Sequence, residues 1–300
     1  MARIVTDLWK RFLAENIVGK YIYANVAVFV VFALLDVFAT LFNITSPALY
    51  LKMWLELPSA PMQFIVQPWS LVTYMFLHAG LMHILWNMLA LYWFGKLFLS
   101  YFSTRHFIGA YLLGGIVGGL FFMLAYNIFP MFTDLGANGY LVGASAAVLA
   151  VVTATATRVP DQRINLLLFG EVRLVTVAVV TVVASLLLLT SENAGGSFAH
   201  LGGAFAGWLF AYYLNKGRDL TSMITKLADY FVALCNKLFN WAKKPKMHLH
   251  KGKRSGDYED NAQKKEQSAE VDRILEKLKK NGYASLTEEE KKRLFDASSK

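Results

Sequence analysis

Long apolar stretches limit what this chain can become. Six of them, near residues 21–42, 81–103, 105–127, 141–157, 174–190 and 198–215, approach the roughly 20 apolar residues that a helix needs to cross a hydrocarbon core of about 30 Å. Backbone polar groups in lipid must be satisfied within the segment, so each stretch predicts a helix. The content of 56% hydrophobic and 17% charged residues is too apolar for a soluble domain of this size. The expected fold class is therefore an all-α integral membrane protein with six transmembrane helices. The run INLLLF, between Arg163 and Glu171, is too short to span and predicts a tight hairpin beside the membrane.

The net charge of +9 could suggest nucleic acid, but the positions of the charges point to topology instead. With six spans and an inside N-terminus, Lys52 is the only Lys or Arg placed outside. Lys10, Arg11, Lys20, Lys96, Arg105, Arg158, Arg163 and Arg173 all fall inside, as the positive-inside rule requires. Both termini are expected in the cytoplasm, with the protein in the plasma membrane and no nucleic-acid partner. The leader, residues 1–20, is charged and has no small-residue cleavage site, so no removable signal peptide is expected. Cys235 is the only cysteine, which excludes intrachain disulfides and a zinc site built on several thiolates. No metal or other cofactor is expected.

Composition divides the chain into a membrane core, residues 21–216, and a polar tail. From Lys216 onward the chain carries 20 of its 30 basic residues. Within residues 217–246, Leu220, Ile224, Leu227, Phe231, Leu234 and Leu238 recur at helical spacing, with Trp241 near Lys243, Lys244 and Lys246. That pattern fits an amphipathic helix lying on anionic lipid, or one packed on the protein's own cytoplasmic side. Residues 247–267 read as a flexible charged linker. Residues 268–300 read as a short helical hairpin: Ser268 caps the first helix, which stops at Asn281-Gly282, and Thr287 with Glu290 makes a capping box for the second. The hairpin's partner is unknown. Outside, the long connection from Asn43 to Leu77 carries Tyr50, Met53, Trp54, Leu57, Phe64 and Trp69. It predicts short helices half sunk in the outer leaflet, with Trp54 and Trp69 at the interface.

Polar groups in membrane spans are costly and need a reason to be there. At the head of the second span lie His78, His83 and Asn87, and the i to i+4 spacing puts His83 and Asn87 on one face. The fourth span opens on Gly143-Ala144-Ser145, and the sixth on Gly195-Gly-Ser-Phe-Ala199-His200. These three spans run in the same direction, so the three polar sets share one depth. Gly203 and Gly207 form a GxxxG face, and Gly143, Ala147 and Ala150 offer small residues to meet it. That closeness would allow a hydrogen bond from Ser145 to His200. Asp36, in the outer half of the first span, reads as a carboxylate hydrogen-bonded to a neighbouring span or lying close to the outer interface, rather than as a catalyst.

These residues resemble the rhomboid family of intramembrane serine proteases. The likeness lies in HxxxxHxxxN at His78, His83 and Asn87, GxS at Gly143 and Ser145, and GxxxAHxxGxxxG from Gly195 through His200 and Gly203 to Gly207. The tail resembles the cytosolic extensions of some Bacteroidetes members. The resemblance implies the six-helix rhomboid fold and a Ser145 and His200 dyad without a third carboxylate. It also implies an oxyanion site made by His83, Asn87 and the Ser145 N–H, with His78 supporting that region through hydrogen bonds. Its implied substrates are single-span or multi-span membrane proteins, cleaved through an acyl-enzyme. Three positions depart from the family pattern. Ser70 follows Trp69 where many members have Arg, FGKLFLSYF (residues 94–102) lacks a Glu common in the second span, and Leu149 stands where some members place an aromatic ring under the histidine. The alternatives are a rhomboid-like pseudoprotease that binds membrane helices without cutting them, and, more distantly, a small transporter or channel.

Overall fold

The computed structural model describes residues 14–133, 139–166, 170–191, 193–242 and 255–298. Lys10, Arg11, Lys243, Lys244 and Lys246, used above for topology and lipid contact, lie outside the described residues, as does the 247–254 part of the linker. The chain divides into two compact units, Met1–Lys237 and Leu238–Lys300.

The first helix, α1 (Ile17–Leu41), begins at an Asn16 side chain that accepts the Gly19 N–H. The outer connection that follows is built from short pieces: α2 (Pro47–Leu55), β1 (Leu57–Pro58), α3 (Pro61–Val66) and α4 (Ser70–Thr73). Then come α5 (Leu81–Leu99), α6 (Thr104–Ile128), α7 (Pro130–Thr133), β2 (Tyr140–Leu141) and α8 (Ser145–Arg158). A hairpin of β3 (Arg163–Leu166) and β4 (Gly170–Arg173) leads into α9 (Leu174–Leu187) and α10 (Ala194–Asn215). The tail holds α11 (Ser222–Ala242), α12 (Ser255–Asn281) and α13 (Glu288–Ser298).

α1 and α6 are long and apolar enough to cross a bilayer alone. Ser70–Phe76 and α5 meet at a 94° bend and together match one further span, while α8 and α9 are apolar but shorter. The fourth stretch starts at Ser145 rather than 141 because the residues before it form a strand. Leu57 pairs with Leu141 and Pro58 with Tyr140, and Ser59 exchanges hydrogen bonds with Gly139. The outer connection is thereby stitched to the segment that delivers Ser145.

α8 occupies the centre, with every residue from Ala146 to Ala156 buried. α6 and α10 can approach it because small residues line both contacts. A Cβ on Gly114 or Gly118 of α6 would press into Ala150 or Ala146, and one on Gly203 or Gly207 of α10 would collide with the Ala146 or Ala150 carbonyl. In lipid such seams gain their energy from close van der Waals packing. The seam corrects one expectation. The α10 glycines meet the Ala146 and Ala150 carbonyls, while the methyl groups of those two alanines point to Gly118 and Gly114 of α6; Ala147 comes near Gly114 only through its Cα, and Gly143 precedes the helix.

The outer connection does form short helices, with Tyr50, Met53, Trp54 and Trp69 exposed. The Trp54 and Trp69 rings stack with centroids 6.0 Å apart, and the Trp69 indole N–H donates to the Trp54 carbonyl at 2.8 Å. Tyr74 fastens its far end by donating to the Gly115 carbonyl at 2.7 Å. Asp36 accepts from Ser46 at 2.6 Å and from Lys52 at 2.9 Å, so its partners come from the outer connection and not from a neighbouring span. Beside this pair, burial raises the Glu56 carboxyl above its usual range, and Lys52 partly offsets the rise.

At the opposite end, Thr221 just before α11 and Thr225 within it are buried, and the exposed Asp229 of α11 pairs with Arg105. The helix's apolar residues Met223, Leu227, Phe231 and Leu234 are exposed. In the tail, α12 starts at Ser255, thirteen residues before the expected cap, so part of the predicted linker is helical. It ends as expected, with Gly282 at a left-handed φ of +74°. The capping box is present: the Thr287 N–H donates to the Glu290 carboxylate at 2.7 Å and the Glu290 N–H to the Thr287 hydroxyl at 3.3 Å.

Candidate active site

The site is assembled where α5, α8, α9 and α10 meet. Ser145 is the first residue of α8, so its side chain sits at the helix's positive end. The turn that sets it there requires glycine. Gly143 has φ +121°, and a Cβ on it would lie 2.7 Å from His83 Nε2. The Gly143 N–H is held by the Tyr74 carbonyl at 3.0 Å, a second tie between the outer connection and the serine turn.

His200 lies in the second turn of α10, and its Nε2 is 2.7 Å from Ser145 Oγ. The backbone seam at Gly203 and Gly207 makes this distance possible, since bulkier residues there would force the helices apart. Thr153 adds to the seam, its hydroxyl 3.0 Å from the Ala204 carbonyl across the two helices.

His83 and Asn87 face the same space from α5. A cavity of about 380 Å³ is lined by both of them, by Ser145 and His200, and by apolar side chains that include Trp86, Phe94, Leu149 and Val152. His83 Nδ1 accepts the Ala79 N–H at 3.4 Å, which leaves Nε2 turned toward Gly143. Asn87 is buried and donates one amide proton to the His83 carbonyl at 2.9 Å. That bond fixes the amide and leaves its second N–H unspent.

His78 is buried beside the site. It touches the site through its ring, set edge-on to His83 with centroids 5.1 Å apart. Ser70, standing where many rhomboids carry Arg, is fully buried with no partner for its hydroxyl among the described residues. Leu149 is buried and borders the same cavity as His200.

Two contributions escaped the sequence reading. α6 supplies a second glycine face against α8 through Gly114 and Gly118, and a GGIVGG run was the available signal. α9 brings Ser185, whose hydroxyl lies 3.4 Å from His200 Nδ1. No motif marked it.

Residues 66–217 match the model of the rhomboid domain, and residues 256–300 match a family of unknown function, DUF6576. Among similar proteins, Rhomboid-like protease 3 of Toxoplasma gondii is 29% identical over 56% of this chain and 60% of its own length. RHOMBOID-like protein 12, mitochondrial, of Arabidopsis thaliana is 27% identical over 50% of this chain and 47% of its own. Rhomboid protease GluP of Bacillus subtilis is 25% identical over 53% and 30%. The chain thus spans about half the length of the curated relatives it matches. A rhomboid match that covers half of the sequence, set on a helical membrane core with these motifs in order, leads to one conclusion: the chain belongs to the rhomboid family.

Proposed function

We propose that this protein is an intramembrane serine endopeptidase that cuts membrane proteins within or beside a transmembrane helix. The observation that carries the reading is the 2.7 Å approach of His200 Nε2 to Ser145 Oγ, within the range a general base needs. His200 takes the hydroxyl proton as Ser145 Oγ attacks the scissile carbonyl. The resulting oxyanion is met by the Ser145 N–H, the free Asn87 amide proton and His83. Each such donor is typically worth about 2.7–4 kcal/mol in the transition state. Collapse expels the amine, which takes the proton back from His200 Nε2 and leaves an ester on Ser145. Water reaching the cavity then hydrolyses the ester, with His200 again as base.

The wider reading has six membrane spans with both termini cytoplasmic, the dyad near the outer surface, and the plasma membrane as the site of action. His78, Gly143, Gly203 and Gly207 support the site by packing. α11 lies against anionic lipid through its exposed residues Met223, Leu227, Phe231 and Leu234, a reading supported by the burial of Thr225 while those apolar side chains stay exposed. Substrate reaches the cavity laterally, past α9. The segment to be cut must unwind there, so small or helix-breaking residues are expected at the scissile bond.

The test is to place pure protein in liposomes with a single-span substrate and map the products by mass spectrometry. Cleavage that disappears in Ser145→Ala supports the reading. If Ser145→Ala cuts as well as wild type, the dyad assignment fails. If the wild type binds the substrate, leaves it intact and takes no fluorophosphonate label, the pseudoprotease reading replaces it.

A further inference from the structure

A two-residue dyad leaves His200 Nδ1 without the carboxylate that orients the imidazole in a triad. The imidazole still needs one defined tautomer, because Nε2 must be unprotonated to accept from Ser145. The structure supplies a different orienting group. On α9, the residues Leu174, Ala178, Thr181 and Ser185 follow a four, three, four spacing, with all but the half-buried Thr181 fully buried. Val179, Val180 and Val183 between them, and Leu186 and Leu187 after Ser185, are exposed. Ser185 thus stands on the inward face near the outer end of a helix whose other hydroxyl side chains are Thr176 and Thr181.

A serine in a membrane helix usually needs no explanation beyond bonding to its own backbone. Thr181 does that, donating to the Val177 carbonyl at 2.8 Å. Ser185 does it too, donating to the Thr181 carbonyl at 2.9 Å. With its single proton on that carbonyl, its oxygen is left to accept from His200 Nδ1, 3.4 Å away, in the tautomer that protonates Nδ1. The direction of the whole relay follows: His200 Nδ1–H to Ser185, and Ser145 Oγ–H to His200 Nε2 at 2.7 Å. The contact is held from a second point, since the buried Ser197 on α10 donates to the Leu188 carbonyl at the end of α9 at 3.3 Å.

We infer that Ser185 is a positioning residue of the dyad: its hydroxyl oxygen, aligned by the Thr181 carbonyl, holds His200 in the tautomer and orientation that activate Ser145. The inference rests on the protease reading above. When His200 takes the Ser145 proton, Nδ1 keeps its own, and the Ser185 oxygen then faces an imidazolium. No proton reaches Ser185 at any step. The device also accounts for His200 being held although Leu149 replaces an aromatic support, and it makes the orientation of the base depend on α9 being seated.

The experiment compares wild type with Ser145→Ala, Ser185→Ala and Ser185→Thr in liposomes, measuring kcat and KM on a single-span substrate. It also measures the rate of labelling by a small fluorophosphonate, which needs no transmembrane substrate to pass α9. The expected result for Ser185→Ala is a fall of about tenfold in kcat with little change in KM, since a hydrogen bond to a group that becomes charged is being lost. Labelling should slow by a similar factor. Ser185→Thr, which keeps the hydroxyl, should recover most of both. An inert Ser145→Ala with a fully active Ser185→Ala overturns the positioning role alone. So does a Ser185→Ala that changes only KM, or a Ser185→Thr no better than Ser185→Ala, because each reports packing rather than the hydroxyl. A Ser145→Ala as active as wild type overturns the protease reading and this inference with it.

Discussion

The two sides of the site are held in opposite ways. On one side α8 meets α10 backbone to backbone, where Gly203 and Gly207 leave no room for a Cβ against the Ala146 and Ala150 carbonyls. On the other side α9 touches the core along a single stripe, and most of its surface is exposed. The first contact fixes the distance between Ser145 and His200. The second lets α9 meet the imidazole through one hydroxyl while its remaining surface stays free. The proposed protease reading uses both: a closely held pair of reacting atoms, and a wall with an exposed face past which a membrane helix can approach.

Variants can break or sharpen this contrast. The largest effect is expected for Gly203→Val. The added carbons fall on a carbonyl that cannot retreat, so overpacking of about 1–3 kcal/mol or more should lower the unfolding temperature in detergent and abolish cleavage together. Next is Asn87→Ala, in the proposed oxyanion site. It should reduce kcat by about 10²–10³-fold at an unchanged unfolding temperature, and a loss confined to KM would remove Asn87 from the transition state. Thr153→Val tests the seam without adding bulk. It removes the Ala204 contact and should cost about 1 kcal/mol of stability, with a smaller loss of activity. The smallest effect is expected for Val183→Ala on the exposed face of α9, within about 0.5 kcal/mol in stability and less than twofold in kcat. A large effect there would mean that α9 is as tightly held as the seam.

Much of the site was legible because its residues recur at helical spacing or break a local rule. The GxxxG face, the i to i+4 pair of His83 and Asn87, and the glycine before Ser145 are all patterns within one segment. Gly143 in particular is needed for its positive φ and for the space that His83 occupies. The misassigned small residue, Ala147 in place of Ala146, shows the boundary of such reasoning. Spacing says which residues share a face, while the rotation of a helix whose neighbours are all small depends on what surrounds it. α8 is enclosed on every side, so its composition offers no polar face from which to judge that rotation. His78 adds a contact that spacing does not foretell, its ring set edge-on to His83.

By itself the sequence determined that this chain enters a membrane as helices, and that a serine, an imidazole and an amide would stand at one depth. Runs of apolar residues and local spacing are enough for that. Only the tertiary structure decided which faces meet: Ala146 against Gly203, the outer connection paired to the strand before Ser145, and Ser185 against His200. Those choices are made between segments far apart in sequence. They depend on the shapes of two surfaces at once, which neither segment carries alone.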